Sequence, residues 1–283
     1  MFALDHPRVR NRIYARYLGG LDPMSYALRL LTTSPVAKAL EIGCGGGDLA
    51  LAVRSMRISS HVDAFDVASG AIELARAKAR DAQVDGLNFF VADAGTLQLE
   101  AEAYDFVYAS HSLHHVEDLE NMFASVYRAM KPGTIFFAND YIGPSRMQYS
   151  DAHLELVNQL LAGLPELKRV NKLANNAIKA RVDRLPVETY LEIDPSEGVR
   201  AAEIVEVMRR YFDVEVIPTG MTLLYEVLLG IVHNFDPENE FDNALLDLML
   251  VADEMCSTYQ TVEPCFACLV GRRKAEVDTA GFS

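Results

Sequence analysis

The sequence predicts an α/β fold, a doubly wound and mostly parallel sheet with helices on both faces. Residues 36–142 alternate short apolar runs with helical patterns, as βαβ units do. A glycine-rich turn at residues 43–47 follows one apolar run and precedes a helical pattern. Acidic residues end several of these runs, and the carboxyl ends of parallel strands meet at the sheet edge where ligands bind.

Seven apolar runs of strand length carry the predicted sheet. They are Lys38–Ile42, His61–Val67, Leu87–Ala92, Tyr104–Ser110, Thr134–Asn139, Phe212–Pro218 and Cys265–Gly271. Between the runs, apolar spacing predicts helices over Ala71–Ala82 and Leu119–Met130. Lys131-Pro132-Gly133 is expected to end the second helix.

The segments around this core, residues 35–143, are predicted to be mainly helical. Residues 1–34 carry apolar residues at near-helical spacing until Gly19-Gly20, which predicts an N-terminal helical cap. Residues 144–194 form a helical insertion after strand five, and its second helix is expected through Leu173, Ala177, Ile178 and Val182. We interpret this insertion as a helical substrate cap, and a dimerisation surface is the competing interpretation.

Residues 195–273 complete the predicted sheet and carry a further helical insertion after strand six. Asp194 is expected to be the N-cap of a helix that runs to about Tyr211, with Pro195 in its first turn. Helices are also predicted over Met221–Phe235 and Phe241–Tyr259. The tail, residues 274–283, is short and polar, and is expected to be loose.

The stretch Glu41–Gly47 is the most informative local pattern. Gly43, Gly45 and Gly47 lack a Cβ, so the backbone can turn tightly and approach a ligand closely. Residues 45–50 also satisfy the looser G-x-G-x-x-A dinucleotide fingerprint. The glycines alone therefore do not distinguish one nucleoside-binding family from another.

Two further acids follow later strands. Asp66 ends strand two, where a carboxylate can accept hydrogen bonds from both hydroxyls of a ribose. Asp93 ends strand three. A nicotinamide-dependent oxidoreductase would use the glycines and Asp66, but it leaves Glu41 and Asp93 without a role.

Together these residues resemble class I S-adenosylmethionine-dependent methyltransferases, whose motif I is (D/E)-x-G-x-G-x-G. The resemblance covers residues 36–142 and is to small-molecule enzymes of the ubiquinone-biosynthesis-like group. It implies a Rossmann-like methyltransferase fold, S-adenosylmethionine as cofactor and S-adenosylhomocysteine as product. The cofactor contacts that it implies are Tyr14, Tyr17, Glu41, Gly43, Cys44, Gly45, Gly47, Asp66, Val67, Asp93, Ala94, Ser110 and His111.

The expected reaction is methyl transfer to an oxygen or nitrogen, less often a carbon, of a small molecule such as a secondary metabolite or a sugar. A non-catalytic protein that binds the same cofactor is the other alternative. His111 and Tyr141 are the candidate catalytic residues. A base is needed only for acceptors that are hard to deprotonate. Candidate acceptor contacts are Tyr141, Arg146, Arg200 and His233.

His111, His114 and His115 follow strand four, but a metal site is not expected from them. The nearby acids, Glu117 and Asp118, fit a helix cap better than a ligand set. The Cys265-x-x-Cys268 pair lies in an apolar run without a second pair, which favours reduced, buried thiols.

Composition limits the classes of partner. A net charge of −14 and a pI near 4.9 disfavour nucleic acid, because phosphate backbones bind clustered Lys and Arg. No apolar run approaches the length of about 20 residues that spans a bilayer. We expect a cytoplasmic enzyme with a small-molecule acceptor, no nucleic-acid or membrane partner, and the possibility of a homodimer.

Overall fold

The computed structural model describes residues 2–31, 35–259 and 261–274. The chain divides into two compact units, each made of segments that are distant in sequence. Unit 1 comprises Met1–Pro23, Met147–Ile193 and Pro218–Phe266. Unit 2 comprises Met24–Arg146, Asp194–Ile217 and Ala267–Ser283, and it holds nearly all of the sheet.

The seven-stranded sheet confirms the predicted fold class. Its strands are β1 (Val36–Ile42), β2 (Ser59–Asp66), β3 (Leu87–Val91), β4 (Tyr104–Ser110), β5 (Met130–Tyr141), β6 (Phe212–Pro218) and β7 (Phe266–Arg273). Their order across the sheet is β3-β2-β1-β4-β5-β7-β6. The pairs β1–β2, β1–β4, β2–β3 and β4–β5 are parallel. The strand order reverses between β1 and β4, the kind of switch point at which open α/β sheets bind ligands.

The helices of the described residues belong to both units. They are α1 (Pro7–Tyr17), α2 (Pro23–Arg29), α3 (Asp48–Ser55), α4 (Ser69–Asp81), α5 (Leu119–Ala129), α6 (Asp151–Ala162), α7 (Val187–Ile193), α8 (Ile204–Tyr211), α9 (Leu224–Leu228) and α10 (Glu240–Thr258). Within residues 2–31, 35–259 and 261–274, none is both long enough and apolar enough to cross a bilayer.

The middle of the sheet is apolar on both faces, as a parallel sheet between helices requires. Leu40 in β1 and Phe106 and Val107 in β4 are completely buried. Rings from α5, β5, α8 and β6 pack together beside them, with Phe123 within 6.5 Å of Phe136, Tyr211 and Phe212 between ring centroids. This rigid centre sets where the strand ends lie.

Unit 1 has its own helical core. Val9 and Ile13 of α1 are buried in one cluster with Val157 and Leu161 of α6. Residues of α9 and α10 complete that cluster. Two ion pairs join α1 to α10, Arg8 to Asp247 at 2.5 Å and Arg12 to Glu254 at 3.0 Å. The predicted N-terminal helix therefore packs with the helices of the insertions.

Four local predictions were wrong. Helix α5 ends at Ala129, as Lys131-Pro132-Gly133 predicted, but β5 begins at Met130 and not at Thr134. A register shift against β4 accommodates the Pro and Gly. The expected second helix of the first insertion is absent from residues 170–182, where Val170–Asn171 pairs with Ala177–Ile178. Asn175 and Asn176 adopt positive φ there, which suits a hairpin turn and not a helix.

Two predicted helices are also shorter than expected. Asp194 does not cap a helix that continues to Tyr211; its Oδ1 accepts from Ser196 N and Oγ in a local turn, and α8 begins only at Ile204. The predicted helix Met221–Phe235 is reduced to α9. Gly230 has a φ of 76°, and a Cβ there would lie 2.1 Å from Asn171 Oδ1, so the chain turns at this glycine.

Candidate active site

Close neighbouring atoms leave no room for a Cβ at either end of the glycine turn between β1 and α3. Gly43 has a φ of 68°, and a Cβ there would lie 2.3 Å from Ser112 Cβ. Gly47 has a φ of 77°, and its Cβ would lie 2.9 Å from the ring of Phe89. At Gly45 a Cβ would meet no atom of the described residues within 4 Å. The turn therefore packs tightly at both ends and leaves its middle open.

Asp66, at the end of β2, is hydrogen-bonded to the middle of the glycine turn at Gly45. Its Oδ2 accepts from Gly45 N at 2.8 Å, and its Oδ1 accepts from Ala68 N at 2.9 Å. Each carboxylate oxygen has a second lone pair, so both remain able to accept from a ligand. The carboxylate thus has a fixed orientation at the edge of the sheet.

Glu41, at the end of β1, is nearly fully buried with 3% exposure. Tyr108 Oη donates to its Oε2 at 3.2 Å. Burial raises the pKa of Glu41 to about 8, although this hydrogen bond and one from the Ala50 backbone oppose the shift. Glu41 is therefore mostly protonated at neutral pH.

Asp93 lies in the turn after β3. Its Oδ1 accepts from Gly95 N at 2.8 Å, and Asn121 Nδ2 of α5 donates to Gly95 O at 2.8 Å. The side chain itself is exposed. The turn is thus anchored to α5 while the carboxylate stays accessible.

These strand ends line a single cavity of about 960 Å³ within unit 2. Of the residues expected to contact a cofactor, the lining includes Glu41, Gly43, Cys44, Gly45, Asp66, Val67, Asp93, Ala94, Ser110 and His111. Gly47 supports the turn from behind through its contacts with α4 and β3. Burial raises the pKa of Cys44 to about 12, so this thiol stays protonated and is a poor nucleophile.

The loop after β4 carries the three histidines. His111 has a φ of 52° and lines the cavity, and its Nε2 lies 3.2 Å from Asn139 Nδ2. The protein atoms around His111 lower its pKa by desolvation, so the imidazole is neutral at neutral pH. A neutral imidazole beside the cavity can accept a proton.

Asp140 at the end of β5 fixes the rest of this loop. It is fully buried and accepts from Ser112 N at 2.9 Å, from Leu113 N at 2.8 Å and from His114 Nδ1 at 2.5 Å. Burial alone would raise the pKa of Asp140, but His114 outweighs it and the net shift is downward. Asp140 is therefore an ionised anchor for the loop.

Three residues that were expected to contact the acceptor interact with other groups of the protein. Tyr141 is buried, and its hydroxyl donates to Pro144 O at 2.9 Å. Arg146 donates to Pro195 O at 2.5 Å and so supports the turn that follows Asp194. Arg200 is held by Glu120 at 2.6 Å and by Glu203 at 2.7 Å. All three guanidinium or hydroxyl groups are engaged in local structure.

Three other expected contacts belong to unit 1. Tyr14 packs against its apolar core, and Tyr17 lies 3.3 Å from the position of a Cβ on Gly220. Burial raises the pKa of Tyr17, with Asp253 as the next contributor. His233 lies in the turn Val232–Asn234, and burial lowers its pKa. The roles of these residues toward a ligand stay predictions.

Sequence reasoning missed one wall of the cavity. Asp194, Pro195, Ser196 and Val199 line it, together with residues of the loop after β4 such as Ser112. Val199 N donates to His114 O at 3.1 Å, which joins this segment to that loop. The Asp-Pro-Ser-Glu pattern predicts a helix start. Residues 194–200 are not helical in the structure, and this irregular segment lines the cavity.

A family model described as a methyltransferase domain matches residues 40–138. The chain is similar to phosphoethanolamine N-methyltransferase 2 of Caenorhabditis elegans, with 28% identity over 158 residues, which cover 56% of this chain and 36% of that protein. It is also similar to 27-O-demethylrifamycin SV methyltransferase of Amycolatopsis mediterranei, with 24% identity over 74% of this chain and 75% of that protein. The chain thus spans about a third of the length of the first relative.

A solved structure supports the same fold. Phosphoethanolamine N-methyltransferase 2 of Haemonchus contortus, in complex with phosphomonomethylethanolamine and S-adenosylhomocysteine, matches with a TM-score of 0.56 and 17% identity. The match covers 95% of this chain and 56% of that one. The domain match, the relatives and the strand order agree with the glycine motif and the strand-end acids. Residues 40–138, about a third of the chain, are therefore similar to a methyltransferase domain.

Proposed function

We propose that this protein binds S-adenosylmethionine in the unit 2 cavity and transfers its methyl group to an oxygen or nitrogen, less often a carbon, of a small molecule. The observation that carries the proposal is the joint placement of the glycine turn, Glu41, Asp66 and Asp93 around one cavity. A dinucleotide-binding oxidoreductase accounts for fewer of these groups, and the relatives favour the methyltransferase.

The residues present suit this cofactor. Gly45 leaves open space beside the turn, which a side chain would fill, and Asp66 keeps unused lone pairs for the ribose hydroxyls. The exposed carboxylate of Asp93 and the backbone of Ala94 are proposed to meet the adenine. Glu41 is buried at the end of β1 and lines the cavity, and in its protonated form it adds no full negative charge there.

The bound cofactor supplies an electrophilic methyl group on a sulfonium sulfur. The protein must align an acceptor with that group and exclude water, and this requires positioning more than activation. His111 is the proposed base, because it lines the cavity and is neutral at neutral pH. Acceptors that are already nucleophilic would not need it.

The acceptor is proposed to be a small molecule. The relatives named above are called methyltransferases of phosphoethanolamine and of a rifamycin, so the group spans chemically distinct acceptors. The hydroxyl of Tyr141 and the guanidinium groups of Arg146 and Arg200 are engaged in local structure, and we leave these residues out of the proposed acceptor contacts.

The binding step is tested by calorimetry with S-adenosylhomocysteine. Asp66→Asn and Asp93→Asn should each weaken binding by about 1–3 kcal/mol, because each removes a charged acceptor. Asp85→Asn, at an exposed acid outside the cavity lining, is the matched control and should bind like the wild type. Unchanged affinity in both cavity variants, or preferential binding of NADH, would contradict the proposal.

The transfer step is tested with radiolabelled S-adenosylmethionine and a panel of alcohols, phenols, amines and carboxylates. Label should appear in at least one acceptor class. His111→Gln should lower the rate for alcohols or phenols by about 10²–10⁴-fold and leave S-adenosylhomocysteine binding within a few-fold of the wild type. Binding without transfer to any class would instead indicate a non-catalytic cofactor-binding protein.

A further inference from the structure

Two adjacent histidines and one distant glutamate converge beside the cavity wall. His114 and His115 lie on the short turn Leu113–His115, and their ring centroids are 4.1 Å apart. Glu197 lies in the segment that follows Asp194. One ligand-type atom from each of the three residues lies within 4.8 Å of the other two.

Both imidazoles are oriented through Nδ1. His114 Nδ1 donates to the buried Asp140 at 2.5 Å. His115 Nδ1 lies 2.9 Å from Ser196 Oγ, and that hydroxyl donates to Asp194 Oδ1 at 2.6 Å. Since the Ser196 proton is used by Asp194, Ser196 Oγ accepts from His115 Nδ1. With Nδ1 of each ring donating, Nε2 is the ring nitrogen left to bind a ligand.

The two Nε2 atoms face the same carboxylate. His114 Nε2 lies 3.7 Å from Glu197 Oε1, and His115 Nε2 lies 3.9 Å from Glu197 Oε2. These distances are too long for hydrogen bonds, and with both Nε2 atoms deprotonated the atoms that converge are all acceptors. Such a group is stabilised by a cation between its members.

We propose that His114, His115 and Glu197 bind a divalent transition-metal ion such as Zn²⁺. Metal-bound histidines usually donate their other ring nitrogen to a carboxylate or another oxygen, as Asp140 and Ser196 accept here. Tetrahedral bonds of about 2.0–2.2 Å place ligand atoms ~3.3 Å apart, so the separations of 3.7 and 3.9 Å between the imidazoles and Glu197 must each shorten by about half an ångström. Its side chain is 30% exposed and His115 is 35% exposed, which allows that adjustment.

The proposed site has three protein ligands, which leaves at least one coordination position for water or another small ligand. His115 and Ser196 also line the cavity, so this position lies at the cavity wall. The inference does not depend on the proposed methyl transfer. It concerns metal binding by the chain alone.

Calorimetric titration of chelator-treated protein with ZnCl₂ tests the site, with Co²⁺ absorption as a second readout. The wild type should bind one Zn²⁺ and give visible Co²⁺ bands, and Mg²⁺ should bind much more weakly. Glu197→Gln and His115→Gln, both at partly exposed positions, should lose at least tenfold in Zn²⁺ affinity and the Co²⁺ bands. Ser196→Ala should lose about tenfold while all three ligands remain.

His61→Gln and Glu188→Gln are the matched controls, since both residues are exposed and neither belongs to the His114–His115–Glu197 cluster. Far-UV circular dichroism of each variant checks that it is folded. Absence of saturable Zn²⁺ binding in the wild type would overturn the proposal, and protonated histidines would then account for the attraction of Glu197. Equal Zn²⁺ affinity in Glu197→Gln, His115→Gln and the controls would overturn it as well.

Discussion

Replacing Glu41 with Gln should stabilise the protein increasingly as the pH rises. Burial raises the pKa of Glu41 to about 8 in the folded protein, against 4.5 for an ordinary glutamate. Between these values the folded state binds more protons than the unfolded state, so the free energy of unfolding of the wild type falls with rising pH. The largest slope is about 1.4 kcal/mol per pH unit. Gln has nearly the same shape and carries no charge, so the free energy of unfolding of the variant does not fall with pH for this reason.

The measurement is urea denaturation of the wild type and Glu41→Gln at about pH 5.5 and about pH 7.5. The difference in the free energy of unfolding should grow by about 2–3 kcal/mol in favour of the variant over this range. Tyr108 can still donate to the amide oxygen, and the variant should already be more stable by about 1.4 kcal/mol at the lower pH, which lies one unit above 4.5. Glu73→Gln, at an exposed position on α4, controls for the general loss of a negative charge. A difference that stays constant with pH would show that the buried carboxyl does not carry the cost assigned to it.

Two other substitutions test the sterics and the charges of unit 2. Gly43→Ala should lower the free energy of unfolding by at least about 2 kcal/mol, because the new Cβ would collide with Ser112. Gly133→Ala is the control: Gly133 has a φ of 78°, but a Cβ there would meet no atom of the described residues within 4 Å, so it should cost only about 1 kcal/mol of backbone strain. Equal losses of stability in thermal melts of the two variants would refute the steric argument. Arg200→Met should cost about 1 kcal/mol at pH 7, since its ion pair is partly exposed. Arg200 lowers the pKa of Glu120 to about 2, so the destabilisation caused by Arg200→Met should be present above pH 4.5 and disappear as the pH falls toward 2. An equal loss in the free energy of unfolding at pH 7 and pH 3 would contradict this prediction.

The central sheet was predictable because its signals are local. β4 and β6 begin and end where the apolar runs predicted, and the helices α4 and α5 differ from the prediction by no more than two residues at each end. The glycines of the turn were predictable for the same reason, since positive φ and the lack of space for a Cβ restrict Gly43 and Gly47 to one residue type.

The prediction failed where a segment's structure depends on residues far along the chain. The turn at Gly230 is shaped by the approach of Asn171, and the register shift of β5 depends on its pairing with β4. The pairing of Arg200 with Glu120 is likewise visible only in the fold, and a role of Arg200 toward an acceptor stays a prediction. Propensity and spacing contain none of these long-range contacts.

The sequence by itself determined that a glycine turn and three strand-end acids meet at one sheet edge, because parallel strands bring their carboxyl ends together whatever connects them. Only the tertiary structure decided what surrounds that edge. It brings the segment after Asp194 beside the loop of β4 and sets Glu197 opposite His114 and His115. The physical reason is that side-chain convergence across distant segments depends on packing, which no local pattern of residues encodes.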